Sequence, residues 1–120
     1  MKRILVIDDE PDVLTAIKSS LERQRGFKVS IANDGEEAIE VLKTETPDLV
    51  VLDLVMPKLG GDRLLRLIRQ NERTVETPVI ISTVKRETSS LVDLMNAGAT
   101  DYLMKPYDIR ELIKVINLYV

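Results

Sequence analysis

The chain has 120 residues, with 17 Lys plus Arg against 20 Asp plus Glu, a formal charge of −3, and neither Cys nor His. Disulfides, thiol nucleophiles, His-containing triads and zinc fingers are excluded, since each needs a sulfur or imidazole donor; chemistry has to run on carboxylates, hydroxyls, amines and backbone. With 44% apolar and 31% charged residues, one soluble globular domain over 1–120 is expected, and a mildly acidic chain without a long Lys/Arg cluster lacks the footprint of a direct nucleic-acid binder.

The opening Met1-Lys2-Arg3-Ile4-Leu5-Val6-Ile7 is too short for a signal-peptide core and ends in carboxylates, so a cytoplasmic protein is expected. Ile4–Ile7 is a continuous, β-branched run, the mark of a central strand covered on both faces. Pro11 then opens a helix with Val13, Leu14, Ile17 and Leu21 at helical spacing, and Gly26 stops it. Lys28-Val29-Ser30-Ile31 reads as a weaker edge strand, and Asn33-Asp34 caps a second helix carrying Ala38, Ile39 and Leu42. Leu49–Leu52 is a second central strand. It extends to Met56 with Asp53 inside, the longest apolar candidate in the chain and far short of the roughly 20 residues that span a bilayer.

Leu64, Leu65, Leu67 and Ile68 mark a third helix, Val79-Ile80-Ile81 a further strand, and Leu91, Leu94 and Met95 a fourth helix that stops at Gly98. Tyr102-Leu103-Met104 reads as the other edge strand. Asp108, three residues before Glu111, forms a capping-box pattern for a last helix that buries Ile109, Leu112, Ile113 and Ile116. Strict βα alternation demands parallel strands joined by right-handed crossovers, hence an open doubly wound (βα)5 sheet with helices on both faces. The order 2-1-3-4-5 is chosen for five strands, with the reactive crevice outside their carboxyl ends where the winding reverses.

Strand one runs into Asp8-Asp9-Glu10 and strand three into Asp53, so this topology should bring Asp8, Asp9 and Asp53 together. Single acids at strand ends are ordinarily solvated loop residues. Three arriving from two strands repel unless a cation joins them, and an all-oxygen set points to Mg²⁺. Lys105, in Met104-Lys105-Pro106, offers a second positive charge, and a cis Lys105–Pro106 bond would aim it. Thr83 adds a hydroxyl after strand four. Together these groups suit phosphoryl acceptance: Asp53 is the nucleophile, and a carboxylate needs no general base. A metal held by Asp9 and Asp53 near Asp8, with Lys105 opposite, would neutralise the developing charge.

These residues resemble the receiver domain of bacterial two-component response regulators, the chemotaxis-regulator-like superfamily, with its flavodoxin-like fold. The signature is Asp8-Asp9, then Leu52-Asp53-Leu54-Val55-Met56-Pro57, Gly60-Gly61, Thr83, and Tyr102 three residues before Lys105-Pro106. The resemblance implies a signalling phosphoacceptor rather than an enzyme on external substrates. A histidine kinase or histidine phosphotransfer protein would donate a phosphoryl group to Asp53. Mg²⁺ would sit on Asp8, Asp9, Asp53 and the Val55 carbonyl, and Thr83 and Lys105 would contact the phosphoryl oxygens. Tyr102 would turn inward as the Thr83 hydroxyl moves to the phosphate. The face of the fourth helix, fifth strand and fifth helix would then address a downstream effector or a linked output domain, no output domain being expected within residues 1–120. A phosphorylation-dependent homodimer through Asp101, Arg110 and Glu111 is a weaker expectation.

Val84 stands where the family commonly has Ala or Gly, so crowding of the phosphate or a stiffer Tyr102 switch is expected. Val55 cannot orient water and Lys85 offers an extra ion pair, so loss of phosphate should be slow. Three other readings compete. An interaction-only receiver would have no reason to keep repelling carboxylates. A haloacid-dehalogenase-type phosphatase wants an Asp at position 55, and an FMN binder would be repelled by Asp8-Asp9-Glu10-Pro11.

Overall fold

The computed structural model describes residues 1–24, 26–54, 56, 59–84 and 88–120, the side chains of 88–90 excepted. Val55, Pro57, Lys85 and Glu87 therefore lie outside the described residues. Among the described residues five strands alternate with five helices: β1 (Lys2–Ile7), α1 (Pro11–Glu22), β2 (Phe27–Ala32), α2 (Gly35–Thr44), β3 (Leu49–Asp53), α3 (Gly61–Gln70), β4 (Val79–Thr83), α4 (Thr88–Asn96), β5 (Asp101–Met104) and α5 (Ile109–Tyr119). All pairings are parallel and the order is β2-β1-β3-β4-β5, as expected from the βα alternation.

The period-two alternation of the central strands divides the core in two. Leu5 and Ile7, Val50 and Leu52, and Val79 and Ile81 point to one side, where they meet Ala38 and Leu42 of α2, Leu64, Leu65 and Ile68 of α3, and Leu94 of α4. Ile4 and Val6, Leu49 and Val51, and Ile80 point to the other, against Leu14, Ile17 and Leu21 of α1 and Leu112 and Ile116 of α5. Because both faces are covered, the central strands read as unbroken apolar runs instead of alternating ones.

Local signals act as their chemistry dictates. Pro11 occupies the first turn of α1, Asp34 and Asp108 accept from the backbone N–H of Glu37 and Glu111, and Gly26 and Gly98 take positive φ after α1 and α4. Two apolar residues depart from the expected pattern: Leu67 and Met95 are 43% and 41% exposed, each on the flank of a helix whose inward face is filled by other side chains. Arg69, by contrast, turns inward at the end of α3, donating to the carbonyls of Thr77 (2.6 Å), Gly98 (2.8 Å) and Thr74 (3.1 Å). These bonds satisfy loop carbonyls beneath the sheet and tie the start of β4 to the end of α4.

Candidate functional site

The strand order puts the ends of β1, β3, β4 and β5 side by side, and backbone bonds fix their relative heights. Leu54 N–H donates to Ser82 O at 3.2 Å, Lys105 N–H to Thr83 O at 2.8 Å, and Asp8 N–H to Ala32 O at 3.2 Å. Asp8, Asp53 and Thr83 are buried, at 2%, 6% and 1% exposure. The Lys105–Pro106 peptide is cis. The Lys105 side chain reaches back over the sheet edge, its Nζ 2.8 Å from Asp8 Oδ2 and 3.8 Å from Asp53 Oδ2.

Burial works against the Lys105 ammonium, but the hydrogen bond to Asp8 and the charges of Asp53 and Asp8 outweigh it, and its pKa is raised. The structure therefore gathers Asp8, Asp53 and Lys105 at one point, with Thr83 tied to Lys105 through the backbone. Asp9 lies on the solvent side. Oxygens of Asp8, Asp9 and Glu10 come within 4.8 Å of one another, and Glu10 N–H donates to Asp8 Oδ1 at 3.1 Å. Asp53, expected beside Asp8 and Asp9, meets this cluster of Asp8, Asp9 and Glu10 through Lys105, whose ammonium pairs with both Asp8 and Asp53. Glu10 gains a place that sequence reasoning did not assign, although its position beside Asp8-Asp9 was the available signal.

A hard dication with octahedral oxygen coordination suits this donor set, since Asp8, Asp9, Glu10 and Asp53 offer only oxygen and the exposed side leaves room for water. Tyr102 lies on the edge strand with 45% of its surface exposed, and its N–H is bonded to Asp101 Oδ1 at 2.8 Å. Val84, 63% exposed, helps line a groove of about 450 Å³ with Val13, Ile17, Lys105 and Tyr107.

Tyr107 is a further residue that sequence reasoning missed. Its hydroxyl lies 3.5 Å from Ser82 Oγ, and burial, foremost, raises its pKa. A lone Tyr after a Pro carries no signal of such a partner, which only the return of the β5–α5 connection to β4 supplies.

Comparison with known proteins bears on this arrangement. The family model for the response regulator receiver domain matches residues 4–117. The alkaline phosphatase synthesis transcriptional regulatory protein PhoP of Bacillus subtilis is 41% identical over 111 residues, covering 92% of this chain and 45% of PhoP. Protein PilH of Pseudomonas aeruginosa is 38% identical over 117 residues, covering 98% of this chain and 96% of PilH. The chain thus spans about half the length of PhoP and nearly all of PilH. Among solved structures, the receiver domain of the sensor histidine kinase PA1611 of Pseudomonas aeruginosa, with a magnesium ion coordinated in its active-site cleft, superposes with a TM-score of 0.83 at 28% identity, covering 98% of this chain and 96% of that one. No helix among the described residues is long and apolar enough to cross a membrane. A match running from β1 into α5, on a sheet wound 2-1-3-4-5 with acids at its switch point, makes the chain a member of the response regulator receiver domain family of two-component systems.

Proposed function

We propose that residues 1–120 form one receiver domain that accepts a phosphoryl group on Asp53 from the phosphohistidine of a histidine kinase or histidine phosphotransfer protein. The observation that carries this reading is the Lys105 ammonium held 2.8 Å from Asp8 and 3.8 Å from Asp53 in a buried strand-tip site. An Asp53 oxygen attacks phosphorus as the donor's P–N bond breaks, and the electron pair leaves with the imidazole, which takes up a proton. Lys105 pairs with the incoming phosphoryl oxygens, and Thr83 offers its hydroxyl from the end of β4. Asp8, Asp9 and Asp53, with the carbonyl of Val55, would hold Mg²⁺, which supplies charge neutralisation on the transferring group when bound. Glu10 is a neighbouring acid that can bind the hydration shell.

The phosphoryl dianion then competes with Asp8 for Lys105 and draws on Thr83, so the loops after β4 and β5 favour a second arrangement in which Tyr102 turns inward. The face of α4, β5 and α5 addresses a separate effector or a linked output domain in the cytoplasm. Phosphate loss is self-catalysed and slow, because position 55 is Val; a lifetime of seconds would contradict this. The test is intact mass after incubation with acetyl phosphate, with and without Mg²⁺, beside Asp53→Asn. A Mg²⁺-dependent gain of one phosphoryl group, absent from the variant, supports the reading, and labelling retained in Asp53→Asn overturns the acceptor assignment.

A further inference from the structure

Tyr107 and Ser82 are hydroxyls that the proposed transfer does not use, yet they meet beside its acceptor. In the alternation of β3 and β4, Asp53 shares a sheet face with Leu49 and Val51, and Ser82 shares the same face with Ile80. Asp53 and Ser82 are register partners, as are Ser82 and Leu103. Ser82 therefore stands one strand spacing, about 4.8 Å, from Asp53, and at 2% exposure its side chain is withheld from solvent. Its hydroxyl donates to the Tyr107 hydroxyl at 3.5 Å.

The Tyr107 end of this contact is held as well. The ring packs against the core that faces α1 and α5 and lines the groove beside Val13 and Ile17. The phenol's pKa is raised, by burial first, while Lys105 lowers it and Asp8 and Asp53 raise it. The hydroxyl is thus protonated at neutral pH and lies within the field of all three charges. Tyr107 follows Lys105 by two residues, so Lys105 is bracketed by two attachments to the tip of β4. One is its own N–H on Thr83 O at 2.8 Å, and the other is Tyr107 on Ser82. A phenyl ring at position 107 would fill the same space and lose only the second.

We infer that Tyr107 is a positioning residue for phosphoryl transfer: through Ser82 it holds the β5–α5 connection against β4 and so keeps the Lys105 ammonium within reach of Asp53. The inference rests on Asp53 being the acceptor. Lysine carries its charge on a flexible four-carbon stem, so where the ammonium falls depends on how firmly the backbone beneath it is fixed. One attachment lets the connection pivot about the Thr83–Lys105 bond, and a second, two residues on, removes that freedom. Misplacing a group that stabilises developing charge costs rate. Because a long bond between neutral hydroxyls is weak, the effect is modest, about two- to fivefold.

Intact-mass time courses with acetyl phosphate at saturating Mg²⁺ measure uptake by the whole chain. Tyr107→Phe and Ser82→Ala should each slow it about two- to fivefold, and the double variant should be no slower than the slower single, since each removes one end of the same bond. Amide hydrogen exchange of the unphosphorylated protein supplies a readout that a merely structural role would not move. Protection of the Lys105 N–H should fall in all three variants by more than that of Val51 in the central strand, which reports global opening. Uptake at the wild-type rate in Tyr107→Phe, slowing by Tyr107→Phe but not by Ser82→Ala, or losses that multiply in the double variant each overturns the inference. So does slower uptake with Lys105 protected no less than Val51 allows. Wild type that takes up no phosphoryl group, or labelling that survives Asp53→Asn, overturns instead the acceptor assignment beneath it.

Discussion

Lys105 and Asp8 lie 97 residues apart in the sequence and meet at 2.8 Å, the carboxylate almost wholly buried and the ammonium side chain 21% exposed. Replacing Lys105 with Met removes the partner of a buried charge that lies beside the second carboxylate, Asp53. A fully buried pair broken this way costs about 3–5 kcal/mol; the partial exposure of Lys105 reduces that to about 1–3 kcal/mol. Urea denaturation of Lys105→Met and wild type in Mg²⁺-free buffer measures the difference. A loss below about 0.5 kcal/mol would mean that water already screens Asp8.

Alkaline pH should erode the same contribution. The pKa values of Lys105 and Tyr107 are both raised in the fold, the first because Asp8 and Asp53 overcome the cost of burial, the second mainly by burial itself. A raised value means that the folded state holds its proton more tightly than the unfolded chain. The associated stability is complete below the ordinary Lys and Tyr range and is lost as pH climbs through the higher folded values. Stability should thus fall from about pH 10 upward, and the fall should be shallower in Tyr107→Phe. Denaturation midpoints between about pH 8 and 11 test the sign; an equal slope in the variant would show that Tyr107 does not contribute.

Asp9 should behave differently from Asp8 because it is exposed and has its acidic neighbours within 4.8 Å. Asp9→Asn relieves like-charge repulsion without leaving a buried group unpaired, so the melting temperature in EDTA should rise. Wild type should gain roughly 1–2 kcal/mol from Mg²⁺ at ten or more times its dissociation constant, and the variant should lose most of that gain. Thermal melting with and without Mg²⁺ reports both effects. A variant that still gains as much as wild type would remove Asp9 from the metal site.

How far the sequence alone reaches is visible in particular residues. Unbroken runs such as Ile4–Ile7 and Leu49–Leu52 declare two-sided burial, so a parallel five-stranded sheet follows, and the order chosen for it, 2-1-3-4-5, brings Asp8 toward Asp53 without any knowledge of side-chain contacts. Capping also follows from local chemistry, as at Asp34 and Asp108. What escapes is contact between remote segments that no periodicity encodes. Arg69 sits in α3 like any surface arginine, yet its guanidinium serves three loop carbonyls. Tyr107 finds Ser82 only because the β5–α5 connection folds back. Leu67 follows helical spacing but falls on the flank, since three or four apolar positions per two turns locate a face only to within one residue.

Gly60 and Gly61 form adjacent steps of one turn, yet they should respond oppositely to a methyl group. A Cβ on Gly61 would lie 2.6 Å from Asp53 O and 2.9 Å from Leu54 Cα, both backbone atoms under the site, whereas a Cβ on Gly60 would meet only Asp62 Oδ1 at 2.9 Å, the end of a side chain that can rotate. Gly61 N–H also bonds to Leu54 O at 3.2 Å, so α3 begins pressed against the end of β3. Gly61→Ala must push these segments apart, costing about 1–3 kcal/mol against a helix-propensity gain of at most about 1 kcal/mol. Because the displaced atoms belong to Asp53 and its neighbour, phosphoryl uptake from acetyl phosphate should slow as well. Gly60→Ala should cost no more than about 1 kcal/mol, the loss expected when Ala replaces the better N-cap residue Gly, and should keep its rate of uptake. Urea denaturation and intact-mass time courses on the two variants decide it, and equal behaviour of the pair would show that α3 can move away from β3 at no cost to the site.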